Sequence, residues 1–207
     1  VSPALATATY FWRVRSRDIA GNTSAFSAGF SFTIDLTAPS TVTLTAVTPS
    51  CQGPPGTVGL DWSDATDAGC GLAAAPYTVQ VDDNPAFTSI DWTATVTPST
   101  ATTAALATGS YNWRVITTDL AGNTYTSGTG TFSVDVTGPP APTLVSPANG
   151  ACLLSGTVVL DWSDVTDVGC SGTKDYIVEI ATDAGFVTIV QTATVTLSTY
   201  TTSPALV

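Results

Sequence analysis

The 207-residue sequence contains no histidine and no methionine, and only five of its residues are Lys or Arg. Without histidine, the side chain most often used as a general base and as a zinc ligand is missing. The net charge of −11 leaves no basic surface for a phosphate backbone, so we expect no nucleic-acid partner. No run of about 18 apolar residues occurs, so we expect no membrane-spanning segment in this sequence.

What the sequence does contain is an internal repeat with a period of about 100 residues. Three segments recur about 100 residues later in similar form: Tyr10–Val14 as Tyr111–Val115, Leu60–Asp64 as Leu160–Asp164, and Phe32–Thr37 as Phe132–Thr137. A period of this length matches one compact β-sandwich domain and is too long for a solenoid unit. The repeat therefore predicts tandem modules of one kind.

The position of each motif within the repeat predicts how the sequence is divided. We predict that 1–37 is the C-terminal part of a module (strands F and G), 38–137 a complete module, and 138–207 the N-terminal part of another (strands A to E). The lack of an initiator methionine and of a signal peptide is expected of an internal or processed fragment.

The composition and the hydrophobic pattern indicate an all-β fold. Apolar residues make up 43% of the sequence and charged residues 10%, which is ample material for sandwich cores. Apolar residues alternate with a period of two, as in Val58, Leu60 and Trp62, and no segment has a helical stripe. We predict strands A, B, C, C′, E, F and G near 41–48, 57–63, 76–82, 87–90, 92–97, 110–117 and 130–136.

Several motifs resemble a fibronectin type III family of bacterial cell-surface and secreted proteins, and the resemblance covers the whole chain. They are a tryptophan on strand B, a Tyr-x-Trp-x-Val motif on strand F, an Asp-x-Ala-Gly-Asn turn and an Asp-x-Thr-x-Pro linker. Leu5 before Tyr10 and Leu106 before Tyr111 resemble the tyrosine corner of that family. The resemblance implies Ig-like sandwich modules with a core built on Tyr10, Trp12, Trp62, Tyr111, Trp113 and Trp162.

The four cysteines occupy matching positions in successive modules, Cys51 and Cys70, then Cys152 and Cys170, and they depart from most members of that family. A repeated, even set favours disulfides and an oxidising compartment. We expect the local pairs Cys51–Cys70 and Cys152–Cys170. Strand B, about six residues at roughly 3.3 Å each, nevertheless separates the two loops of one module, whereas a disulfide needs Cα atoms within about 7 Å. A bond from Cys51 to Cys170 of the next module, and free thiols, therefore stay open.

A second candidate site is a calcium site where two modules join. In a sandwich of this topology, loops B–C and F–G lie at the pole where the preceding module attaches. Asp64 and Asp67 of one loop, and Asp119 and Asn123 of the other, are then expected to face the linker that carries Asp35. Oxygen ligands from three segments suit Ca²⁺, which would stiffen the junction. The alternative is that these side chains only shape turns, and no other cofactor is expected.

These features favour a structural function over catalysis. The sequence has no phosphate-binding loop and no nucleophile elbow, and its acidic residues recur in each module, which indicates a structural role and no enzyme. We expect a repeat module of an extracellular fibre, cell-surface stalk or adhesin. Its partner would be itself, as a head-to-tail homopolymer or as adjoining modules of one long chain. The alternative is a spacer or carbohydrate-binding accessory module of a secreted enzyme.

Overall fold

The computed structural model describes residues 4–154 and 156–203, and this part of the chain is all-β, as predicted. The strands are β1 (Ala8–Trp12), β2 (Phe30–Ile34), β3 (Cys51–Gln52), β4 (Gly59–Asp61), β5 (Leu72–Asp82), β6 (Trp92–Val96), β7 (Thr100–Thr102), β8 (Gly109–Asp119), β9 (Thr124–Thr126), β10 (Gly130–Val134), β11 (Leu144–Ser146), β12 (Val159–Trp162), β13 (Tyr176–Ala181), β14 (Ile189–Val195) and β15 (Thr199–Thr201). Within the described ranges there is no helix that could cross a membrane.

Strands β3 to β10 form a complete β-sandwich. The larger sheet has the order β3-β10-β8-β5-β6, with β9 paired to β8, and β4 and β7 form the second sheet. Successive side chains on a strand point to opposite faces, so every second residue enters the core. The core residues that are almost completely buried are Val58, Leu60, Trp62, Tyr77, Val79, Val81, Trp113, Val115, Phe132 and Val134.

The structure corrects two of the predicted strands. Segment 41–48 is not a continuous strand: it joins 61–63 through the bridge Leu44↔Trp62 and two flanking backbone hydrogen bonds. Segment 87–90 is irregular, and Phe87 in it has a φ of 53°. Segment 92–97 is a strand, as predicted, and forms β6 beside β5, whereas β7, which was not predicted, lies beside β4. Both segments are rich in threonine, so their composition could not tell which sheet each would join.

The hairpin β1–β2 has the same register as β8–β10 in the complete module. Tyr10 lies opposite Phe32 as Tyr111 lies opposite Phe132, and the ring centroids are 5.6 Å apart in both pairs. The tyrosine corner forms in both as well, since each tyrosine hydroxyl donates to a carbonyl four residues upstream. The two hairpins are therefore the same structural unit.

The strands β11 to β15 repeat the first strands of the sandwich. Leu160 pairs with Tyr200 as Leu60 pairs with Ala101, and the Trp162 ring contacts Tyr176 at 5.5 Å, as Trp62 contacts Tyr77. Among the described residues, no hairpin lies against this set of strands as β8–β10 lies against β4 and β5. The domain boundaries at 37/38 and 137/138 stay predictions.

Candidate assembly surfaces and module junctions

The first candidate site is the apolar side of the β1–β2 hairpin, formed by Tyr10, Trp12, Phe30 and Phe32, which we call the hairpin face. Trp12, one of the predicted core residues, is 52% exposed, and Phe30 is 66% exposed. The counterpart of Trp12 in the complete module, Trp113, is 1% exposed. The predicted core positions Trp12 and Tyr10 are thus not buried within the described chain, because no second sheet covers this hairpin.

The second candidate site is an apolar cavity of about 760 Å³ beside β11, β12 and β13, which we call the open groove. The residues that define it are Leu144, Leu160, Trp162, Tyr176, Val178 and Ile180. Their counterparts in the complete module belong to the core cluster or pack against it: Leu44, Leu60, Trp62, Tyr77, Val79 and Val81. In that module Trp113 of β8 lies against Trp62, with centroids 6.4 Å apart. The open groove is therefore the place that a β8–β10 hairpin fills in the complete module.

The junction between the hairpin and the complete module centres on Asp35, which is buried just after β2. Its carboxylate accepts hydrogen bonds from the hydroxyl of Thr37 at 2.6 Å and from the backbone N–H of Cys70 at 2.8 Å. The Asn123 side-chain amide donates to the Asp35 carbonyl oxygen at 3.1 Å. The Thr37 hydroxyl, then the Cys70 N–H, lower the pKa of Asp35. The linker that carries Asp35 and the loops that carry Cys70 and Asn123 therefore meet here.

The calcium candidates are only partly brought together. The carboxylates of Asp35, Asp67 and Asp119 have oxygens within 4.8 Å of one another, whereas Asp64 is exposed and outside this group. These carboxylates also serve the turns: Asp67 accepts from the N–H of Gly69 and Gly71, and Asp119 from Asn123. Asn123 donates its amide N–H in this arrangement. Both interpretations, calcium binding and turn chemistry, have support, and calcium stays a prediction.

The junction after the complete module repeats this design at Asp135. Its carboxylate accepts from the backbone N–H of Ser171 at 3.0 Å, and the Ser171 hydroxyl donates to it and to Asp167. These bonds, led by the Ser171 hydroxyl, lower the pKa of Asp135 to about 2.

Both junctions need a glycine that the sequence pattern did not single out. A Cβ on Gly69 would lie 1.9 Å from Asp35 Oδ2, and one on Gly169 would lie 1.9 Å from Asp135 Oδ2. No side chain fits at either distance, so the glycine allows the carboxylate to approach the backbone. The signal in the sequence was the recurring Thr-Asp-x-Gly-Cys segment, which contains both glycines.

The disulfide in the structure joins successive modules. Cys51 is bonded to Cys170, with Cα atoms 5.7 Å apart, and Cys70 and Cys152 are free. The local pairs expected from the sequence are not formed. The reason is that Cys51 lies beside Ser133 on β10, which leads into the second junction, whereas Cys70 lies at the first junction against Asp35.

No family model matches this chain. Exoglucanase B of Cellulomonas fimi is 33% identical to it over 181 residues, which are 83% of this chain and 16% of that protein. The chain thus spans about a sixth of the length of that relative.

Two solved structures are also similar to the chain. A chain from work on the host cell surface retention of a 1.5-MDa bacterial ice-binding adhesin is 28% identical, covers 62% of this chain and 42% of its own, and gives a TM-score of 0.33. The FN1–FN3 domains of chicken CNTN1 are 15% identical, cover 93% and 64%, and give 0.40. These TM-scores are too low to carry an argument about function.

Proposed function

We propose that this chain is a non-catalytic structural repeat of an extracellular fibre, cell-surface stalk or adhesin, and that its modules join head to tail. In the assembly, the hairpin face of one unit fills the open groove of the unit before it. The hairpin comes from a neighbouring copy or from an adjoining segment of one longer chain. Each junction then contains one complete sandwich built from two parts.

The observation that carries this proposal is the match between the two exposed surfaces. The hairpin face has the register of β8–β10, and the open groove has the strand pairing of β4, β5, β6 and β7. In the complete module the corresponding surfaces bury each other. An exposed apolar surface of this kind indicates an interaction site. Because the two surfaces differ and lie on different parts of the chain, their pairing is heterologous and extends into a filament.

The disulfide supports an extracellular location, because disulfides persist in oxidising compartments. The absence of histidine from the sequence, and the use of the buried carboxylates of Asp35 and Asp135 in turns, support a function without catalysis.

Electron microscopy of the purified chain, with sedimentation on the same sample, tests the proposal. We expect linear particles for the native chain and monomers for Trp12→Ala, which removes the largest side chain of the hairpin face. Phe11→Ala is the matched control: Phe11 is 81% exposed and points to the opposite side of β1, so this variant should still assemble. Native chain that stays monomeric, or a Phe11→Ala defect equal to that of Trp12→Ala, would contradict the proposal.

A second candidate function is favoured by the relative named Exoglucanase B, which is 33% identical over 181 residues. On this alternative, the chain is a spacer or carbohydrate-binding accessory module of a secreted enzyme, and the open groove receives a glucan instead of a hairpin. Binding of the chain to a glycan array separates the two functions. Glucan binding that is lost in a Trp162→Ala variant, with no assembly of the native chain, would favour the accessory module.

A further inference from the structure

We propose that Cys152 of one copy of this chain forms a disulfide with Cys70 of the next copy, so that each head-to-tail junction is closed covalently. This inference rests on the proposed function, because it requires the hairpin face of one copy to occupy the open groove of another. It extends that function by assigning a cross-linking site to the two cysteines that are free in the structure.

The first argument is the equivalence of the cysteines in the repeat. Cys152 lies one repeat after Cys51, and Cys70 lies one repeat before Cys170. Cys51 and Cys170 are bonded to each other. The two free cysteines therefore occupy the same two positions of the repeat as the bonded pair.

The second argument is the position of Cys51 beside the last strand of its module. Cys51 forms a parallel pair with Ser133 on β10. The residue of β2 at the position of Ser133 is Thr33, since Phe32 corresponds to Phe132 in the matching register. When β2 of the next copy takes the place of β10, Thr33 comes to lie beside Cys152.

The third argument is that Cys70 is already fixed at the end of β2. Asp35 follows β2 directly, and the Cys70 N–H donates to its carboxylate at 2.8 Å. At the other junction, the sulfurs of Cys51 and Cys170 lie within 4.8 Å of the Asp135 carboxylate. Docking of β2 into the open groove therefore carries Cys70 to the position beside Cys152 that Cys170 holds beside Cys51.

The two thiols have the accessibility that such a bond requires. Cys152 is exposed, so it can react with a small oxidant before docking. Cys70 is half-buried, and burial, followed by the charges of Asp35, Asp119 and Asp67, raises the pKa of its thiol. Partial burial and the raised pKa make the Cys70 thiol less reactive than an exposed free thiol.

The bond forms by thiol–disulfide exchange with a low-molecular-weight disulfide as the oxidant. The Cys152 thiolate attacks one sulfur of that disulfide, which breaks its S–S bond and releases one small thiolate. The Cys70 thiolate of the next copy then attacks the Cys152 sulfur of the mixed disulfide and releases the second small thiolate. The two cysteines lose two electrons and two protons, and the small disulfide is reduced to two thiols.

Two single variants, Cys70→Ser and Cys152→Ser, test the direction of the bond. The native chain, incubated with oxidised and reduced glutathione, should give a ladder of linked chains on a denaturing, non-reducing gel. Each single variant alone should run as one unlinked chain. An equal mixture of the two variants should give a dimer and nothing larger, because only one Cys152 and one Cys70 remain to pair. Peptide mapping of that dimer should show Cys152 linked to Cys70.

The possible outcomes distinguish a failure of the disulfide proposal from a failure of the proposed function. If the native chain sediments as linear oligomers but gives no ladder, or if its cross-links map to Cys152–Cys152, the proposed Cys152–Cys70 disulfide is wrong and the proposed assembly is retained. If it sediments as a monomer under every condition and no cross-link forms, both are wrong. A reduced Cys51→Ser, Cys170→Ser variant that still gives the ladder confirms that the bond forms between the cysteines free in the native chain.

Discussion

The complete module and the two partial ones present the same residues in two environments. Trp113 is 1% exposed and its counterpart Trp12 is 52% exposed, although the two hairpins share register, ring stacking and tyrosine corner. The C-terminal partial module shows the same contrast: Leu44 packs against the core of the complete module, whereas its counterpart Leu144 is 81% exposed at the open groove.

The difference shows which features of a module form within one part of it and which require the rest of the sandwich. Strand pairing within the hairpin and within β11 to β15 forms without the missing partner, because each pair satisfies its own backbone hydrogen bonds. Burial of the aromatic side chains requires the second sheet. Burial of apolar side chains therefore stabilises a module only where its hairpin packs against its other strands. The proposed assembly would supply that contact to the two partial modules.

The largest expected effect comes from the two equivalent tryptophans. Trp113→Ala should lower the free energy of unfolding of the complete module by about 3–5 kcal/mol, because it leaves a cavity in a packed core. Trp12→Ala should change it by less than about 0.5 kcal/mol in dilute chain, because Trp12 has no core around it there. Urea unfolding followed by circular dichroism measures both.

Raising the chain concentration sharpens this contrast. At concentrations where the native chain assembles, the loss of unfolding free energy in Trp12→Ala should rise toward the loss in Trp113→Ala. Phe11→Ala should lose little unfolding free energy at any concentration. Equal costs for Trp12→Ala in dilute and concentrated samples would mean that the hairpin face gains no core by association.

The next expected effect compares the two junctions in the presence of calcium. The first junction brings the carboxylates of Asp35, Asp67 and Asp119 within 4.8 Å of one another, whereas at the second the Ser171 hydroxyl donates to both Asp135 and Asp167. If the first junction binds Ca²⁺ with the Kd of about 10⁻⁴–10⁻³ M found in extracellular modules, about 10 mM calcium should add about 1–3 kcal/mol to its stability.

Calorimetry in calcium and in EDTA checks this prediction. The increment should vanish in Asp119→Asn and persist in Asp64→Asn, since Asp64 lies outside the carboxylate group. Identical melting temperatures of the native chain in calcium and in EDTA would leave turn chemistry as the function of these residues.

A smaller effect is expected at the tyrosine corners. Tyr111→Phe should lower the free energy of unfolding by about 1 kcal/mol, because the partly buried hydroxyl donates to the Ala107 carbonyl at 3.1 Å. Tyr10→Phe should cost less in dilute chain, because water can replace the exposed bond to Ala6. Thermal unfolding of the two variants measures the difference, and a larger loss for Tyr10→Phe than for Tyr111→Phe would contradict the comparison.

Much of this fold could be predicted from the sequence, because alternation and the repeat are local signals. They located β4, β5, β8 and β10. They also located β6 but missed β7, because three residues are too few for alternation to show and the place of β7 depends on its partner β4. At the junctions, the motifs identified Asp35, Asp67 and Asp119 as neighbours. The cysteine pairing could not be derived, because it depends on which strand edge Cys51 occupies.

The smallest effect concerns the two junction carboxylates and appears only in acid. The pKa of Asp35 and that of Asp135 are both lowered from the ordinary value of 3.8, Asp135 to about 2. A carboxylate with a lowered pKa stabilises the folded state above its unfolded value, and this stabilisation is lost as the pH falls through the folded value. Both junctions should therefore be unaffected at neutral pH and weaken between about pH 4 and pH 2, with the bond network at Asp135 persisting to the lower pH.

A single substitution tests why the second junction resists acid. The residue at position 171 is Ser, whereas the first junction has Gly71 at the equivalent position, and the Ser171 hydroxyl is the leading cause of the low Asp135 pKa. Ser171→Gly should therefore raise the pKa of Asp135, and hydrogen exchange in peptides spanning the second junction should increase at a higher pH than in the native chain. Asp64→Asn serves as the control, because Asp64 takes no part in either junction. An Asp135 carboxyl resonance that titrates at the same pH in the native chain and in Ser171→Gly would show that the backbone N–H of residue 171, rather than its hydroxyl, holds the charge.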